Sequence, residues 1–345
     1  MASYVGIDIG GANTKVAVLS LGPDGAETIS TSCTYFPVWQ RRDELASMLR
    51  GVVSSLPTDV LGIGVTMTCE LSDTYETKAE GVSHVLDCID EVARDTEVRV
   101  LDVSGHLLET ARARKAPVAV AAANWYASAF LAAKRFPDAL LLDTGSTSTD
   151  IIPIIDGMVA PKGGTDLERL GTGELVYTGL LRTNLAAVSQ FAEIGGIRYG
   201  VSSELFAQSA DVHLVLENID EEGYTCDTLD GRGVTVPEAM ARICRVVCAD
   251  MTQLSTDDIR ELSRFFADRQ LEAVRNGIAT VCAGIGSTPP LAIVAGIGAE
   301  ALARPAAVRA GIGSVRSFSQ TFGDGSGDVA PSVGLAHMVR EDLLA

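Results

Sequence analysis

The stretch Tyr4-Val-Gly-Ile-Asp-Ile-Gly-Gly-Ala-Asn-Thr-Lys-Val-Ala-Val18 decides the predicted fold of this chain. Apolar residues alternate along its first half and resume after a pair of glycines, which predicts two β-strands joined by a tight turn. An aspartate, Asp8, stands near the end of the first strand. Glycine turns between strands are common and most bind no ligand, so this stretch by itself predicts a hairpin only.

The residues of the turn have the chemistry of a phosphate clamp. Gly10 and Gly11 have no Cβ, so their backbone can adopt positive φ and bring N–H groups close to an anion. Asn13, Thr14 and Lys15 add side-chain donors at the same tip. The turn is therefore a candidate site for phosphate oxygens.

A second stretch, Leu140-Leu-Leu-Asp-Thr-Gly-Ser-Thr-Ser-Thr-Asp-Ile-Ile-Pro-Ile154, echoes the first. The aligned pairs are Asp143 with Asp8, Gly145 with Gly10, Thr149 with Thr14 and Asp150 with Lys15. A third stretch, Leu291-Ala-Ile-Val-Ala-Gly-Ile-Gly-Ala-Glu300, is an apolar strand that runs into a Gly-x-Gly turn at Gly296 and Gly298. The repeat makes a phosphate site a stronger expectation than either hairpin alone.

Three such elements in this order resemble the actin, sugar-kinase and heat-shock ATPase superfamily. The resemblance implies an α/β fold with two similar doubly wound domains, actin-like or ribonuclease H-like, with a cleft between them. Each domain is then expected to offer one hairpin to a phosphate group. We expect the first domain at residues 1–135 and the second at 136–329, with a closing helix at about 330–345 that packs back on the first.

The rest of the chain alternates between predicted strands and helices. The spacing of apolar residues predicts helices over residues 41–56, 82–94, 117–135, 236–254 and 257–283. Apolar runs predict strands over 59–66 and 97–103. The glycine-rich, acidic segment 224–234 is either a flexible loop or a lid beside a metal, and its residues leave both interpretations open.

The formal net charge of −18 makes nonspecific nucleic-acid binding a poor expectation, because such binding needs clustered Lys and Arg. No window approaches twenty uninterrupted apolar residues and no signal-peptide pattern precedes the first strand. We therefore expect a cytoplasmic protein with no membrane partner. An anionic small ligand would need compensation by loop N–H groups, a few cations and a divalent metal.

The seven cysteines are odd in number, scattered and without a C-x-x-C pair, so we expect reduced thiols. Cys244 and Cys248 lie one helical turn apart, which allows either a zinc pair or two small residues that face the core. Because no histidine is near them in sequence, the core interpretation is favoured.

Two further polar segments are candidate sites. Loop 68–78 follows a predicted buried strand and contains Glu70, Asp73 and Lys78. Later in the chain, polar residues interrupt an otherwise apolar stretch at Asp166, Arg169, Tyr177, Thr178 and Arg182. Arginine suits bidentate contact with phosphate or carboxylate, and the alternative is a set of surface turns with a structural ion pair.

Sugar kinases of this superfamily carry an Asn-Asp pair at the head of the helix before the second hairpin, and the aspartate serves as base. Here Asn124 is followed by Trp125, so the usual kinase base is missing. The combination of Asp8-Ile-Gly-Gly-Ala-Asn-Thr-Lys15, Glu70-Leu-Ser-Asp73 and Glu174-Leu-Val-Tyr-Thr-Gly-Leu-Leu-Arg-Thr183 resembles one branch in particular. That branch is the hydantoinase A/oxoprolinase-like family linked to methanofuran biosynthesis and tetrahydromethanopterin one-carbon metabolism.

The resemblance runs from residue 4 to about 300 and is weak over 185–290. It implies a transferase that joins an aminomethylfuran-methyl diphosphate to the phenol of γ-glutamyltyramine and releases diphosphate. Its partners would be these small molecules, and its cofactor would be Mg²⁺.

Hairpin position and side-chain type suggest a role for each candidate residue. The diphosphate would be held by Gly10, Gly11, Asn13, Thr14, Gly145, Ser146, Thr147, Thr149, Gly296 and Gly298. Lys15 would supply positive charge to the leaving group, and the metal would be held by Asp8, Asp143 and Asp150. Lys78 or Glu70 would deal with the phenol proton, while Tyr177, Thr178, Arg182 and Asp166 would contact substrate.

Two other functions stay open at this point. One is an ATP-dependent kinase or hydantoinase/oxoprolinase-type enzyme, in which Gly296-Ile-Gly298 would hold the adenosine. The other is a nucleotide-sensing, actin-like binding module without enzymatic activity. The oligomeric state, the metal and the identity of the base are not fixed by the sequence.

Overall fold

The computed structural model describes residues 2–94 and 96–345. The strands are β1 (Ala2–Ile9), β2 (Asn13–Leu21), β3 (Glu27–Tyr35), β4 (Val60–Met67), β5 (Val98–Leu101), β6 (Leu107–Leu108), β7 (Ala139–Thr144), β8 (Thr149–Ile155), β9 (Met158–Val159), β10 (Leu175–Val176), β11 (Phe191–Ile194), β12 (Ile197–Gly200), β13 (Leu291–Ala295) and β14 (Ser314–Ser317). The helices are α1 (Val38–Arg41), α2 (Leu45–Ser54), α3 (Lys78–Val92), α4 (Thr110–Ala113), α5 (Pro117–Val120), α6 (Asn124–Ala133), α7 (Asp166–Thr172), α8 (Leu185–Val188), α9 (Ser209–Val215), α10 (Val236–Arg245), α11 (Thr256–Ile285), α12 (Arg304–Arg309), α13 (Phe318–Phe322) and α14 (Ala330–Leu344).

The described residues form two compact units. Unit 1 contains the chain up to Leu141, Ile152–Gly171 and Ser317–Ala345, and unit 2 contains Leu142–Ile151 and Thr172–Arg316. This division differs from the predicted boundary at residue 136. The reason is that the turn after β8 packs on the end of α6, where the Gly157 N–H donates to the Pro137 carbonyl at 2.9 Å.

Unit 1 is built on a six-stranded sheet in the order β3-β2-β1-β4-β5-β6, with β1, β4 and β5 parallel. Successive side chains of β1 alternate between two helical layers. Ile7 is buried in a core shared with α2 and α3, whereas a Cβ on Gly6 would lie 2.0 Å from the Ser332 carbonyl oxygen of α14. Helices therefore cover both faces, and the predicted α/β class is confirmed.

The second sheet has the order β10-β8-β7-β13-β14, with β9 paired to β8. The ends of β7 and β8 next to their turn belong to unit 2. The core of unit 2 includes buried residues of α9, α10 and α11, together with Ala192 and Ile194 of β11, the strand that pairs with β12. Both predicted glycine hairpins, β1–β2 and β7–β8, are present as predicted.

Two predicted helices are shorter than expected. The helix over 117–135 is interrupted at residues 121–123, where Ala122 has a φ of 49° and donates its N–H to the Met67 carbonyl at 3.0 Å. The helix over 236–254 ends at Arg245, and Cys248 has a φ of 57°. Apolar spacing did not reveal either break, because the first depends on a bond to a distant strand and the second on a local turn.

Segment 224–234 is an anchored loop. Its Asp230 accepts hydrogen bonds from Arg242 at 3.2 Å and from Arg245 at 2.9 Å, and the Tyr224 hydroxyl donates to Asp211 at 3.0 Å. Asp230 is therefore paired with two arginines of α10. The two interpretations that the sequence leaves open, a flexible loop and a lid beside a metal, stay predictions.

The cysteines are free thiols. Cys244 is buried and Cys248 is exposed, so the prediction that both face the core holds for the first only. Among the helices of the described residues, none combines the length and the apolar character that crossing a membrane requires.

Candidate functional site

The tip of the first hairpin, residues 10–13, is a tight turn in unit 1. The Gly10 N–H donates to the Asn13 carbonyl at 3.0 Å, and a Cβ on Gly10 would lie 2.6 Å from that same oxygen. Neither Gly10 nor Gly11 adopts the positive φ that glycine allows. Residue 10 must be glycine because two backbone segments approach closely, whereas a Cβ on Gly11 would be 3.6 Å from its nearest neighbour.

A carboxylate and an ammonium lie side by side below this tip. Asp8 of β1 is in register with Lys15 of β2 and with Thr66 of β4. Residues in register share a face of the sheet, which here is the face covered by α14. Ser332 of α14 donates its hydroxyl to the Lys15 carbonyl at 3.0 Å and fixes the backbone of the hairpin on this helix.

Loop 68–78 carries a buried carboxyl group. Glu70 is 1 % exposed, and a Cβ on Gly81 of α3 would lie 2.4 Å from the Glu70 carbonyl oxygen. Burial raises the pKa of Glu70 to about 7, although the Lys78 ammonium, 3.9 Å away, lowers it. Its Oε2 makes no hydrogen bond within residues 2–94 and 96–345. A carboxyl group with this pKa can exchange a proton near neutral pH.

Lys78 links Glu70 to a second carboxylate. Its Nζ lies 3.0 Å from Asp166 Oδ2, and α7 begins with that aspartate. The fold thus brings Asp166, predicted in a separate segment, next to two candidate residues of loop 68–78. A residue from another segment also contacts loop 68–78, because the Arg42 guanidinium donates to the Thr74 carbonyl at 2.8 Å.

Arg169 lies one turn after Asp166 on α7 and is buried. Its guanidinium stacks on the Trp125 ring, 4.5 Å from the ring centroid. In the part of the chain that the structure describes, Trp125 Nε1 has no hydrogen-bond partner. An indole has no basic nitrogen, so residue 125 cannot serve as the base that sugar kinases place at this point.

The tip of the second hairpin, residues 145–148, repeats the turn in unit 2. The Gly145 N–H donates to the Ser148 carbonyl at 2.9 Å, and the hydroxyls of Thr144 and Thr149 lie 3.2 Å apart in the interior. Gly145 also lacks a positive φ, and a Cβ there would be 3.8 Å from its nearest neighbour. The two tips therefore share a hydrogen-bond pattern.

The segment 179–182 clamps this second tip. A Cβ on Gly179 would lie 2.6 Å from both the Ser146 carbonyl carbon and the Thr147 nitrogen. Three N–H groups bond the tip carbonyls: Leu180 to Gly145 at 3.0 Å, Leu181 to Ser146 at 3.0 Å and Arg182 to Ser146 at 2.8 Å. Sequence reasoning missed Gly179, because the contact that requires glycine lies far away in the chain.

The third glycine motif packs on the end of β7. Gly296 has a φ of 81°, and a Cβ there would lie 2.2 Å from the Thr144 carbonyl oxygen and 2.6 Å from Asp143 Oδ1. The Gly298 N–H donates to the Thr144 carbonyl at 2.9 Å. Within unit 2, the second and third motifs therefore meet.

The remaining candidate residues differ in environment. Thr178 is buried, whereas Tyr177 is exposed over 65 % of its surface. Asp150 is in register with Leu175 of β10. In neither unit do three metal-ligating side chains of the described residues form a group that could hold an ion.

Comparison of the sequence with known proteins identifies the family of this chain. Residues 62–342 match the model of the hydantoinase/oxoprolinase family. A relative from Methanocaldococcus jannaschii, named (4-{4-[2-(gamma-L-glutamylamino)ethyl]phenoxymethyl}furan-2-yl)methanamine synthase, is 35 % identical over 98 % of this chain and 98 % of its own. A relative of the same name from Methanococcus vannielii is 33 % identical over 60 % of this chain and 92 % of its own.

Among solved structures, component A of the (R)-2-hydroxyglutaryl-CoA dehydratase of Acidaminococcus fermentans superposes with a TM-score of 0.49 at 10 % identity. The superposition covers 100 % of both chains. On the family match and the nearly full-length relative, the chain belongs to the hydantoinase/oxoprolinase family.

Proposed function

We propose that the protein is a transferase that forms the aryl ether of (4-{4-[2-(γ-L-glutamylamino)ethyl]phenoxymethyl}furan-2-yl)methanamine in methanofuran-type coenzyme biosynthesis. The proposal is supported by the relative of that name, which matches over 98 % of both chains. The substrates would be an aminomethylfuran-methyl diphosphate and the phenol of γ-glutamyltyramine.

The reaction forms one bond and breaks one. The phenol oxygen bonds to the furan-bound CH₂, while the bond from that CH₂ to the diphosphate oxygen breaks and its electron pair leaves with diphosphate. The furan oxygen delocalises positive charge on the carbon. The phenol has an ordinary pKa of about 10, so a nearby base raises its nucleophilicity by taking the proton.

The structural observation that fits this proposal is the buried Glu70 carboxyl, 3.9 Å from the Lys78 ammonium. Its pKa of about 7 and its unbonded Oε2, within the described residues, suit a general base for the phenol. Lys78 stabilises the ionised form of Glu70 from 3.9 Å. We assign Glu70 as the base and Lys78 as its charge partner.

The leaving group needs positive charge and hydrogen-bond donors. From hairpin position and side-chain type, we propose Lys15 for the first role and the tip residues Ser146 and Thr147 for the second. Mg²⁺ commonly uses one or two carboxylates together with substrate phosphates. Asp8, Asp143 and Asp150 stay the candidates for such contacts, and the ion would neutralise diphosphate charge.

The test is an incubation of the purified protein with Mg²⁺, the furan-methyl diphosphate and γ-glutamyltyramine, with mass detection of the ether. We expect product and diphosphate in equal amounts without any nucleotide. A parallel incubation replaces the diphosphate with ATP. Product or hydrolysis that depends on ATP would instead support a kinase or hydantoinase-type reaction.

Lys15→Ala is the matched variant for the leaving-group role. It should abolish ether formation while circular dichroism and thermal unfolding stay those of the wild type. Near-normal turnover of this variant would remove Lys15 from the mechanism.

A further inference from the structure

A buried polar side chain on α11 supports the segment that clamps the second hairpin tip. Gln270 is 1 % exposed, and its Nε2 lies 2.8 Å from Thr178 Oγ1 and 2.9 Å from the Gly179 carbonyl oxygen. On the other side, its Oε1 lies 3.1 Å from His213 Nε2. One amide thus joins α9 and α11 to the start of the clamp.

In this series of hydrogen bonds around Gln270, the donor and the acceptor of each bond are fixed. Both protons of the Gln270 amide are used by Thr178 and Gly179, so Oε1 accepts and His213 Nε2 must carry a proton. His213 Nδ1 then accepts from Asn218 Nδ2 at 3.0 Å. Burial lowers the pKa of His213 to about 4, which keeps the ring neutral and its tautomer single.

The clamp continues from Gly179 to the hairpin through hydroxyl groups. Thr178 Oγ1 lies 3.2 Å from Thr183 Oγ1, and the Gly179 N–H donates to Thr183 at 3.0 Å. Thr149, at the base of the hairpin, donates its hydroxyl to the Thr178 carbonyl at 2.9 Å. Each hydrogen bond in this path joins buried groups, so solvent is not positioned to replace a bond that is lost when Gln270 moves.

A buried amide is costly unless all its groups are bonded, and an apolar side chain of similar volume would fill the same space. An apolar residue cannot fix the spacing between α11 and Thr178 and Gly179, where the clamp 179–182 begins. The N–H groups of residues 180–182 then hold Gly145 and Ser146 in one position.

We propose that Gln270 is a positioning residue for diphosphate binding: it holds Thr178 and Gly179, and through them sets the geometry of the tip 145–147. His213 and Asn218 fix the orientation of the Gln270 amide. This inference rests on the proposed function insofar as it takes the second tip to bind diphosphate.

The test is calorimetric titration of the whole protein, in the presence of Mg²⁺, with inorganic diphosphate. Gln270→Met keeps the volume and removes the hydrogen bonds, and we expect its Kd for diphosphate to rise at least tenfold. The control is Ser263→Ala on the same helix, because the buried Ser263 hydroxyl donates to the Ile259 carbonyl of its own helix at 2.7 Å. The control should bind diphosphate as the wild type does.

A second readout separates positioning from general destabilisation. In the ether-forming assay, Gln270→Met should raise KM for the diphosphate substrate and leave KM for the phenol unchanged, while loss of stability alone would lower the active fraction without splitting the two constants. Thr178→Val, which removes one acceptor of the Gln270 amide, should give a smaller change in the same direction and serves if Gln270→Met does not fold.

An unchanged Kd for diphosphate in a folded Gln270→Met variant overturns the inference, and so does the absence of diphosphate binding by the wild type. Failure of the proposed function looks different. In that case the wild type binds diphosphate and forms no ether, and the tenfold difference in Kd between wild type and Gln270→Met still supports the positioning role.

Discussion

Each of the two hairpin tips contains the same type of internal hydrogen bond, but different segments of the chain hold the two tips in place. In both, the first glycine donates to the carbonyl three residues later, at 3.0 Å for Gly10 and 2.9 Å for Gly145. The carbonyls of the first tip accept from the chain just after β3, with the Phe36 N–H at 2.8 Å from Ala12 O and the Val38 N–H at 2.9 Å from Gly11 O. Those of the second tip accept from residues 180–182.

The surroundings differ in charge as well. Unit 1 places Asp8 and Lys15 in register below its tip. It also places the carboxyl groups of Glu70 and Asp166 beside the Lys78 ammonium. Unit 2 has Asp143 and Asp150 in the strands that flank its tip but, among the described residues, no lysine in register there, and it links the tip to hydroxyls and an amide. A titratable group can move a proton, whereas a neutral network can only fix a geometry. Under the proposed function, this comparison favours proton transfer in unit 1 and ligand positioning in unit 2.

The largest expected effect comes from removing the base. Glu70→Gln keeps the size of the buried side chain but takes away its proton acceptor, and general-base groups typically contribute about 10² to 10⁴ in rate. We expect kcat for ether formation to fall within that range. The rise of the wild-type rate through about pH 7, which follows from the raised pKa of Glu70, should disappear in the variant.

The matched control is Glu76→Gln, an exposed glutamate in the same loop. Its rate and pH profile should stay those of the wild type. A Glu70→Gln enzyme that retains most of its kcat would end the assignment of proton transfer to unit 1.

The stability of the two units should respond to pH with opposite sign. Burial raises the pKa of Glu70 from 4.5 to about 7, so the folded state binds more protons and stability falls as pH rises between these values. Burial lowers the pKa of His213 from 6.5 to about 4, so stability falls as pH drops through that window. Each full window corresponds to on the order of 3 kcal/mol.

Denaturant unfolding between pH 4 and 8 measures both effects. Relative to the wild type, Glu70→Gln should gain stability as pH rises above about 4.5, and His213→Gln should gain stability as pH falls below 6.5. If the free energy of unfolding of both variants followed pH in parallel with the wild type, neither buried group would have its shifted pKa in solution.

Glycine substitutions sharpen the comparison of the tips themselves. Gly10→Ala and Gly179→Ala would each place a Cβ 2.6 Å from backbone atoms, whereas Gly11→Ala and Gly145→Ala leave 3.6 and 3.8 Å. Overpacking of this kind costs about 1–3 kcal/mol, so the first two variants should unfold more easily and bind diphosphate more weakly.

The second pair of substitutions is the control for the first. Equal losses of diphosphate affinity and stability at Gly145 and Gly179 would contradict the view that the second tip is shaped by its clamp rather than by its own glycine.

The sequence predicts both hairpins, because alternating apolar residues and paired glycines are local signals. It also identifies Glu70, Lys78 and Asp166 as candidates, but their meeting around one ammonium depends on α7 packing beside loop 68–78. Gln270 and Gly179 gave no signal, since a glutamine inside an amphipathic helix and a glycine in a polar turn are both common. Their roles depend on partners far away in the chain, which no local pattern records.

The smallest predicted effect concerns the tuning of Glu70. The Lys78 ammonium lowers the pKa of Glu70 and the Asp166 carboxylate raises it. Asp166→Asn removes the raising charge and frees Lys78 from its 3.0 Å ion pair, so the rise of the pH–rate profile should move to lower pH. Lys78→Met removes the lowering charge, so the same rise should move to higher pH. Rates measured from pH 5 to 9 check both, and equal shifts in one direction would show that the profile reports another group than Glu70.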